Sequence, residues 1–255
     1  MLKLTFLGTG TSQGVPMIGC DCQVCRSADP RDRRLRSSAM VEVGGVRIVI
    51  DAGPDFRYQM LRAGVKDLSA ILLTHQHTDH IIGLDDVRAF NYFCQKSVDI
   101  YATEAVQGAV RKVFDYAFAE KPYPGAPRMT LRTIGSDPFE VEGVRVVPIC
   151  GRHFTLPVTG YRIGKVAYLT DFNHIEESEL EKLRGLDVLV INALRHTRHL
   201  SHFALPDAIE IARKVGAKST YFTHISHQMG LYATEEPLLP HGMHFAYDSL
   251  TIEIP

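Results

Sequence analysis

Thr74-His75-Gln76-His77-Thr78-Asp79-His80 places three imidazoles and one carboxylate in six consecutive positions, directly after the apolar run Leu68 to Leu73. A run of that length and composition reads as a buried strand. It would deliver two histidines at i and i+2, then an aspartate and a third histidine, into one exposed loop. Such a loop presents ligands to two adjacent metal ions. The competing explanation, a polar loop of solvated histidines, leaves the His-x-His-x-Asp-His spacing unexplained.

Strands and helices alternate outward from this stretch, with no internal repeat or linker. Leu2 to Leu7 and Ala39 to Val43 read as strands; after a Gly44-Gly45 turn, Val46 to Ile50 ends at Asp51, before the sharp break Ala52-Gly53-Pro54. Phe56 to Ala63 reads as a short helix, Gly83 to Phe90 as the start of another, and Glu104 to Phe118 as a third, with Val98 to Tyr101 a strand between. Lys121 to Pro127 is a Pro-rich segment, a lid or a plain surface loop. Further strands are expected at Phe139 to Val141, Val144 to Cys150, Gly160 to Ile163, Val166 to Thr170, Val188 to Asn192, Ser219 to Thr223 and Leu250 to Ile254, and an amphipathic helix at Pro206 to Val215. Two sheets with helices outside are the expected architecture, in one domain spanning 1–255.

His153, Asp171 and His224 each come just after an expected strand. Ligands at the ends of separate strands converge when the strands share an edge. Seven side chains then make a dinuclear centre: His75, His77 and His153 around one metal, Asp79, His80 and His224 around the other, and Asp171 bridging both. Imidazole and carboxylate suit zinc, manganese or iron(II). Two divalent cations, two aspartates and one bridging hydroxide leave about +1 at the centre, which favours an anionic ligand.

The 255 residues carry 28 basic and 29 acidic side chains and are 45% hydrophobic. That balance suits a soluble globular chain able to bury its own core and argues against an extended nucleic-acid surface. No run of about 18 apolar residues is present, and the first residues read as a strand rather than a signal peptide, so a cytoplasmic location is expected. Of five cysteines, three crowd into Cys20-Asp21-Cys22-Gln23-Val24-Cys25. Clustered thiols in a reducing compartment point to metal, and three thiolates satisfy three corners of a tetrahedral structural zinc within the loop 19–26. His227, three residues after His224, is the chosen fourth ligand; Cys94 and Cys150 compete for the role.

The metal motif with its spaced His153, Asp171 and His224 resembles the metallo-β-lactamase superfamily over essentially the whole chain. That resemblance implies a four-layer αββα sandwich, α+β in class, with the metals at the edge of the two sheets and a metal-bridging hydroxide as nucleophile. Gly8 to Pro16, followed by the cysteine cluster and the late His224-x-x-His227, resembles PhnP-type phosphodiesterases and more distantly PqqB proteins. The PhnP resemblance implies hydrolysis of a small or cyclic phosphodiester of the 5-phosphoribosyl 1,2-cyclic phosphate type, with two active-site metals (zinc or manganese), one structural zinc, and His202 and Asp79 as catalytic residues.

Expulsion of an alkoxide calls for a proton donor. His202 resembles the acid-donating histidine of the PhnP type by position; His199, or a merely structural role for His202, are the alternatives. Arg195 and Arg198 either hold a second phosphate or form a solvated basic loop. Asp51 is a candidate acceptor for a ligating histidine. Two other functions compete: a non-hydrolytic accessory or binding protein like PqqB, and a transfer-RNA 3′-processing nuclease, which calls for a basic RNA-gripping arm that the sequence from Arg111 to Arg132 does not suggest. A small phosphodiester is the expected partner, with no membrane and no nucleic acid, and a homodimer is the default assembly.

Overall fold

The computed structural model describes residues 1–255, the whole chain. A first sheet is built from β1 (Leu2–Gly8), β2 (Ser38–Val43), β3 (Val46–Ile50), β4 (Ala70–Leu72), β5 (Val98–Ala102) and β6 (Met129–Thr133). The second takes β7 (Phe139–Val141), β8 (Val144–His153), β9 (Leu156–Ile163), β10 (Val166–Leu169), β11 (His174–Ile175), β12 (Val188–Asn192), β13 (Ser219–Thr223) and β14 (Met243–Phe245). The last strand, β15 (Thr251–Ile254), returns to pair with β1. The sheet orders are β15-β1-β2-β3-β4-β5-β6 and β11-β8-β9-β10-β12-β13-β14, with β7 added on β8.

Both sheets are antiparallel on one side and parallel on the other. In the first, β3 to β6 run parallel; in the second, β10, β12, β13 and β14 do. Parallel neighbours end at a common edge, so the residues that follow them are gathered there without long loops.

Alternation along the strands divides the apolar residues between three layers of core. Leu4, Phe6, Ile48, Ile50 and Leu72 face the other sheet and meet Val146, Tyr161, Tyr168 and Val190. Their neighbours Leu7, Val49, Ile71 and Leu73 turn outward under α1 (Phe56–Arg62), α3 (Arg88–Cys94) and α4 (Glu104–Val113), against Phe56, Met60, Phe90 and Val110. Leu169, Leu189, Ile191 and Phe222 lie under α5 (Glu177–Glu181) and α6 (Leu205–Val215). With both faces of each sheet covered, the parallel strands read as continuous apolar runs. The result is the αββα sandwich.

Several local expectations change. The heptapeptide is not one exposed loop: α2 (Thr78–Ile81) begins inside it, and His75 and His80 are both only 1% exposed. His153 does not follow its strand but closes it, because β8 continues through Gly151 and Arg152, paired with β9 to Leu156. The segment after Ile81 is a 3-10 turn over Ile82–Val87 before α3 starts. The helix from Glu104 stops at Val113 and gives way to a 3-10 turn at Asp115–Ala117. β6 was not expected, since Met129 to Thr133 lacks an apolar run; it is held by its pairing to β5.

Candidate metal centre

Asp51, which ends β3, is the foundation of the site. Its carboxylate, wholly buried, accepts the Thr74 N–H at 2.8 Å, the Thr74 hydroxyl at 2.8 Å and the His80 Nδ1–H at 2.7 Å. Because the Thr74 hydroxyl donates to Asp51, its oxygen is left to accept from His75 Nδ1 at 2.9 Å. His153 Nδ1 donates to the Ser201 carbonyl at 2.7 Å. Three imidazoles thus have their Nδ1 protons engaged from outside, which turns each Nε2 into the site. Burial opposes a charge on His80, but Asp171 and Asp51 outweigh it and raise His80 well above the ordinary histidine range, so its Nε2 becomes a ligand only by giving its proton up to a cation.

The inward atoms fall into close groups. His75, His77 and His153 bring ligand atoms within 4.8 Å of one another, as do Asp79, His80 and His224, and as do His75, His80 and Asp171. Asp171 lies between the two triads: its Oδ2 is 3.4 Å from His80 Nε2 and 3.7 Å from His75 Nε2, and its Oδ1 is 3.2 Å from His224 Nε2. The second-sheet members hang from strand ends, Asp171 after β10 and His224 after β13. Asn192, the last residue of β12 between them, clasps Phe172 by donating to its carbonyl at 2.9 Å and accepting its N–H at 2.7 Å. Across the sandwich, the Tyr161 hydroxyl donates to the Leu73 carbonyl at 2.5 Å and ties the β4 exit to the second sheet.

Asp51, Asp171 and His224 all have φ between 56° and 63°. The left-handed region costs a non-glycine residue about 1 kcal/mol or more. Three such residues at one edge mean that the backbone is held there by the surrounding packing. Two glycines make the remaining space: a Cβ on Gly53 would meet the Asp79 carbonyl oxygen at 2.0 Å, and one on Gly83 the Gly53 carbonyl oxygen at 2.0 Å. The turn of α2 that carries Asp79 and His80 is therefore seated directly on the Ala52-Gly53 backbone, with Ala52 N–H donating to the His80 carbonyl at 2.8 Å.

The donor set fits divalent cations. Both ring nitrogens of His224 are buried without a hydrogen bond, the 3.2 Å approach of Asp171 lacking the alignment of one. His75 Nε2 and His77 Nδ1 face each other at 3.0 Å in a crowd of imidazoles with ring centres 4.3 to 5.2 Å apart. The buried His224 nitrogens, left without a partner, are costly unless one of them meets a cation. Burial, reinforced by His80, holds His75 well below the ordinary histidine range, so it is a neutral ligand. Burial opposes ionisation of Asp171, but His224 and His80 outweigh it and keep the carboxylate charged.

The thiol cluster forms a second, separate group. Cys20, Cys22, Cys25 and His227 bring their ligand atoms within 4.8 Å of one another, and His227 Nδ1 is 3.3 Å from the sulfurs of both Cys20 and Cys22. The Cys25 N–H and His227 pull the Cys22 thiol down to about 6, so one thiolate is available at neutral pH. Cys94 lies elsewhere, at the end of α3 against the Lys66 carbonyl, and Cys150 sits within β8.

Residues 46–225 match the model of the beta-lactamase superfamily domain. The chain belongs to the beta-lactamase superfamily. It is a metallo-β-lactamase hydrolase resembling the PhnP and PqqB proteins. A crystal structure described as a new diphosphatase from the PhnP family is 43% identical and superimposes with a TM-score of 0.93, covering 100% of this chain and 98% of that one. Zinc-bound PqqB from Methylobacterium extorquens shares the fold, at 20% identity and a TM-score of 0.79, over 99% and 100% of the two chains. An octanoyltransferase from Porphyromonas gingivalis is 40% identical over 98% of this chain, but the chain spans only 51% of that relative's length.

The segment after β12 sorts its candidates by position. His202 stacks on His224 with ring centres 4.6 Å apart, lies 4.5 Å from the His153 ring, and sets Nδ1 4.0 Å from Asp171 Oδ2. His199 is exposed, accepts the Ser201 N–H at 3.3 Å through Nδ1, and meets the His202 ring at 5.2 Å. Arg195 is occupied by Gln228 and by the carbonyls of Thr197 and Arg198, which shapes the loop. Arg198 instead lines a cavity shared with His199 and His202.

Thr74, Ser201, Asn192, Tyr161 and Gly53 escaped the sequence reading. Only Gly53 left a signal, the break after Asp51, and nothing in its spacing connects it to Asp79.

Proposed function

We propose that the chain is a metal-dependent phosphodiesterase for small or cyclic phosphodiesters, of the 5-phosphoribosyl 1,2-cyclic phosphate type. The observation that carries the proposal is Asp171 set between two triads of ligand atoms, with His202 beside it on the same edge. His75, His77 and His153 would hold one divalent cation and Asp79, His80 and His224 the other, with Asp171 available to both; Cys20, Cys22, Cys25 and His227 would hold a structural zinc. Cations in such a pair polarise phosphoryl oxygens and generate a nucleophile from water at neutral pH.

The chain's own residues supply orientation and the proton. Asp51, through Thr74 and His80, and Ser201, through His153, hold the Nδ1 side of each ring and keep the ligating nitrogens aimed. His202 protonates the departing oxygen. Burial, with His224 beside it, pushes His202 down to about 2 in the free protein. It therefore rests neutral, and the negative charge of a bound phosphoryl group shifts it toward the protonated form that a proton donor needs.

The test is hydrolysis of a cyclic ribose phosphate and an aryl phosphodiester by metal-quantified protein, with and without manganese, beside Asp79→Ala. Metal-dependent turnover abolished in the variant is the expected result. No turnover at full metal occupancy would replace this proposal with the accessory-protein reading. Cleavage of precursor transfer RNA that falls steeply with salt would replace it with the nuclease reading.

A further inference from the structure

Phe154 sits where folding alone would place another residue. It follows His153 and opens the turn from β8 into β9, with φ of 56° and a side chain 50% exposed. The left-handed region crowds Cβ against the chain; glycine escapes this, and asparagine compensates with a local hydrogen bond. A phenyl ring has neither remedy, and half in water it recovers only part of its burial energy. Strained backbone and exposed aromatic surface coincide at the residue next to a candidate metal ligand.

Asn173 fastens this position to a second exposed apolar residue. The Phe154 N–H donates to Asn173 Oδ1 at 3.0 Å, and Asn173 Nδ2 donates to the Leu200 carbonyl at 2.8 Å. Leu200 is 68% exposed. Asn173 is two residues beyond Asp171, and Leu200 precedes Ser201, whose carbonyl orients His153. Beside this rim opens a cavity of about 330 Å³ lined by Asn173, Arg198, His199 and His202 among others. His202 is thus shared by the metal-ligand cluster and the cavity.

We infer that Phe154 and Leu200 form an apolar lip that binds a flat ring on the organic group of the substrate, making ring-bearing phosphate esters the preferred class. The chemistry rests on the phosphodiesterase reading above; the binding does not. An exposed aromatic face stacks on any ring without matched hydrogen bonds, by offset or edge contact. Arg198, in the adjoining cavity that Asp207 and Glu210 also line, offers a donor fork for polar substituents of the same group.

Metal-loaded full-length chain would be titrated calorimetrically with phenyl phosphate and with ethyl phosphate, comparing the natural sequence with Phe154→Asn and Phe154→Tyr. Phenyl phosphate is expected to bind at least about tenfold more tightly than ethyl phosphate, the scale of one stacked ring. Phe154→Asn should bring that ratio close to one while leaving ethyl phosphate unchanged, and Phe154→Tyr should keep it. The thermal midpoint of Phe154→Asn should not fall, since asparagine suits the backbone better. Equal affinity for the two esters in the natural chain, or a ratio unmoved by Phe154→Asn, overturns the inference. So does a loss of both affinities together with a lower midpoint, which marks a structural role. Absence of phosphodiester turnover with the ratio intact would remove the phosphodiesterase reading and leave the lip standing.

Discussion

Asp51→Asn isolates the buried carboxylate beneath the metal centre with almost no change of shape. Asp51 meets three donors: the Thr74 N–H, the Thr74 hydroxyl and His80 Nδ1–H. A carboxylate accepts all three, whereas an amide has one accepting oxygen and an NH2 that must face a donor. Leaving one buried donor unmatched costs about 1–3 kcal/mol. For a chain of this size that is a fall in Tm of roughly 2–10 °C. His80 has one escape, moving its proton to Nε2 so that Nδ1 accepts from the amide, and that presents a protonated nitrogen to the site. Metal affinity should drop about 10–100-fold, the usual scale for losing such an orienting partner. Competition of metal-stripped protein with a chromogenic chelator would resolve the weakened sites from the thiol site, which lies apart and should be unaffected. Unchanged affinity at every site, in a folded Asp51→Asn protein, would refute the role assigned to Asp51.

Cys22→Ser should lose one equivalent of tightly bound zinc while keeping the exchangeable metals, and should lower Tm by loosening the 19–26 loop from His227; metal analysis with thermal unfolding checks both. Gly53→Ala places a Cβ 2.0 Å from the Asp79 carbonyl oxygen, so the α2 turn must shift; a destabilisation of about 1–3 kcal/mol is expected, with a disproportionate loss of metal binding at Asp79 and His80, measured by denaturant unfolding and by metal titration.

Much of this protein was legible in the order of its residues. The αββα layering follows from apolar runs that alternate with amphipathic helices, because strands covered on both faces leave no other pattern. The seven side chains of the candidate centre and the four of the thiol cluster could be named because metal chemistry demands a few residue types at short or strand-end spacing, and the structure gathers each group within a few ångströms. Tertiary structure alone decided what aims them. Thr74 links Asp51, 23 residues away, to its own neighbour His75, the Ser201 carbonyl engages His153, Asn192 clasps Phe172, and Gly53 makes room for Asp79; each arrangement depends on a contact between residues distant in sequence. Periodicity reports which face a residue occupies, not which neighbour it meets there. The same limit hid the burial of His75 and His80 inside what reads as a polar loop, since a histidine whose protons are all accepted by buried partners is indistinguishable in sequence from one in water.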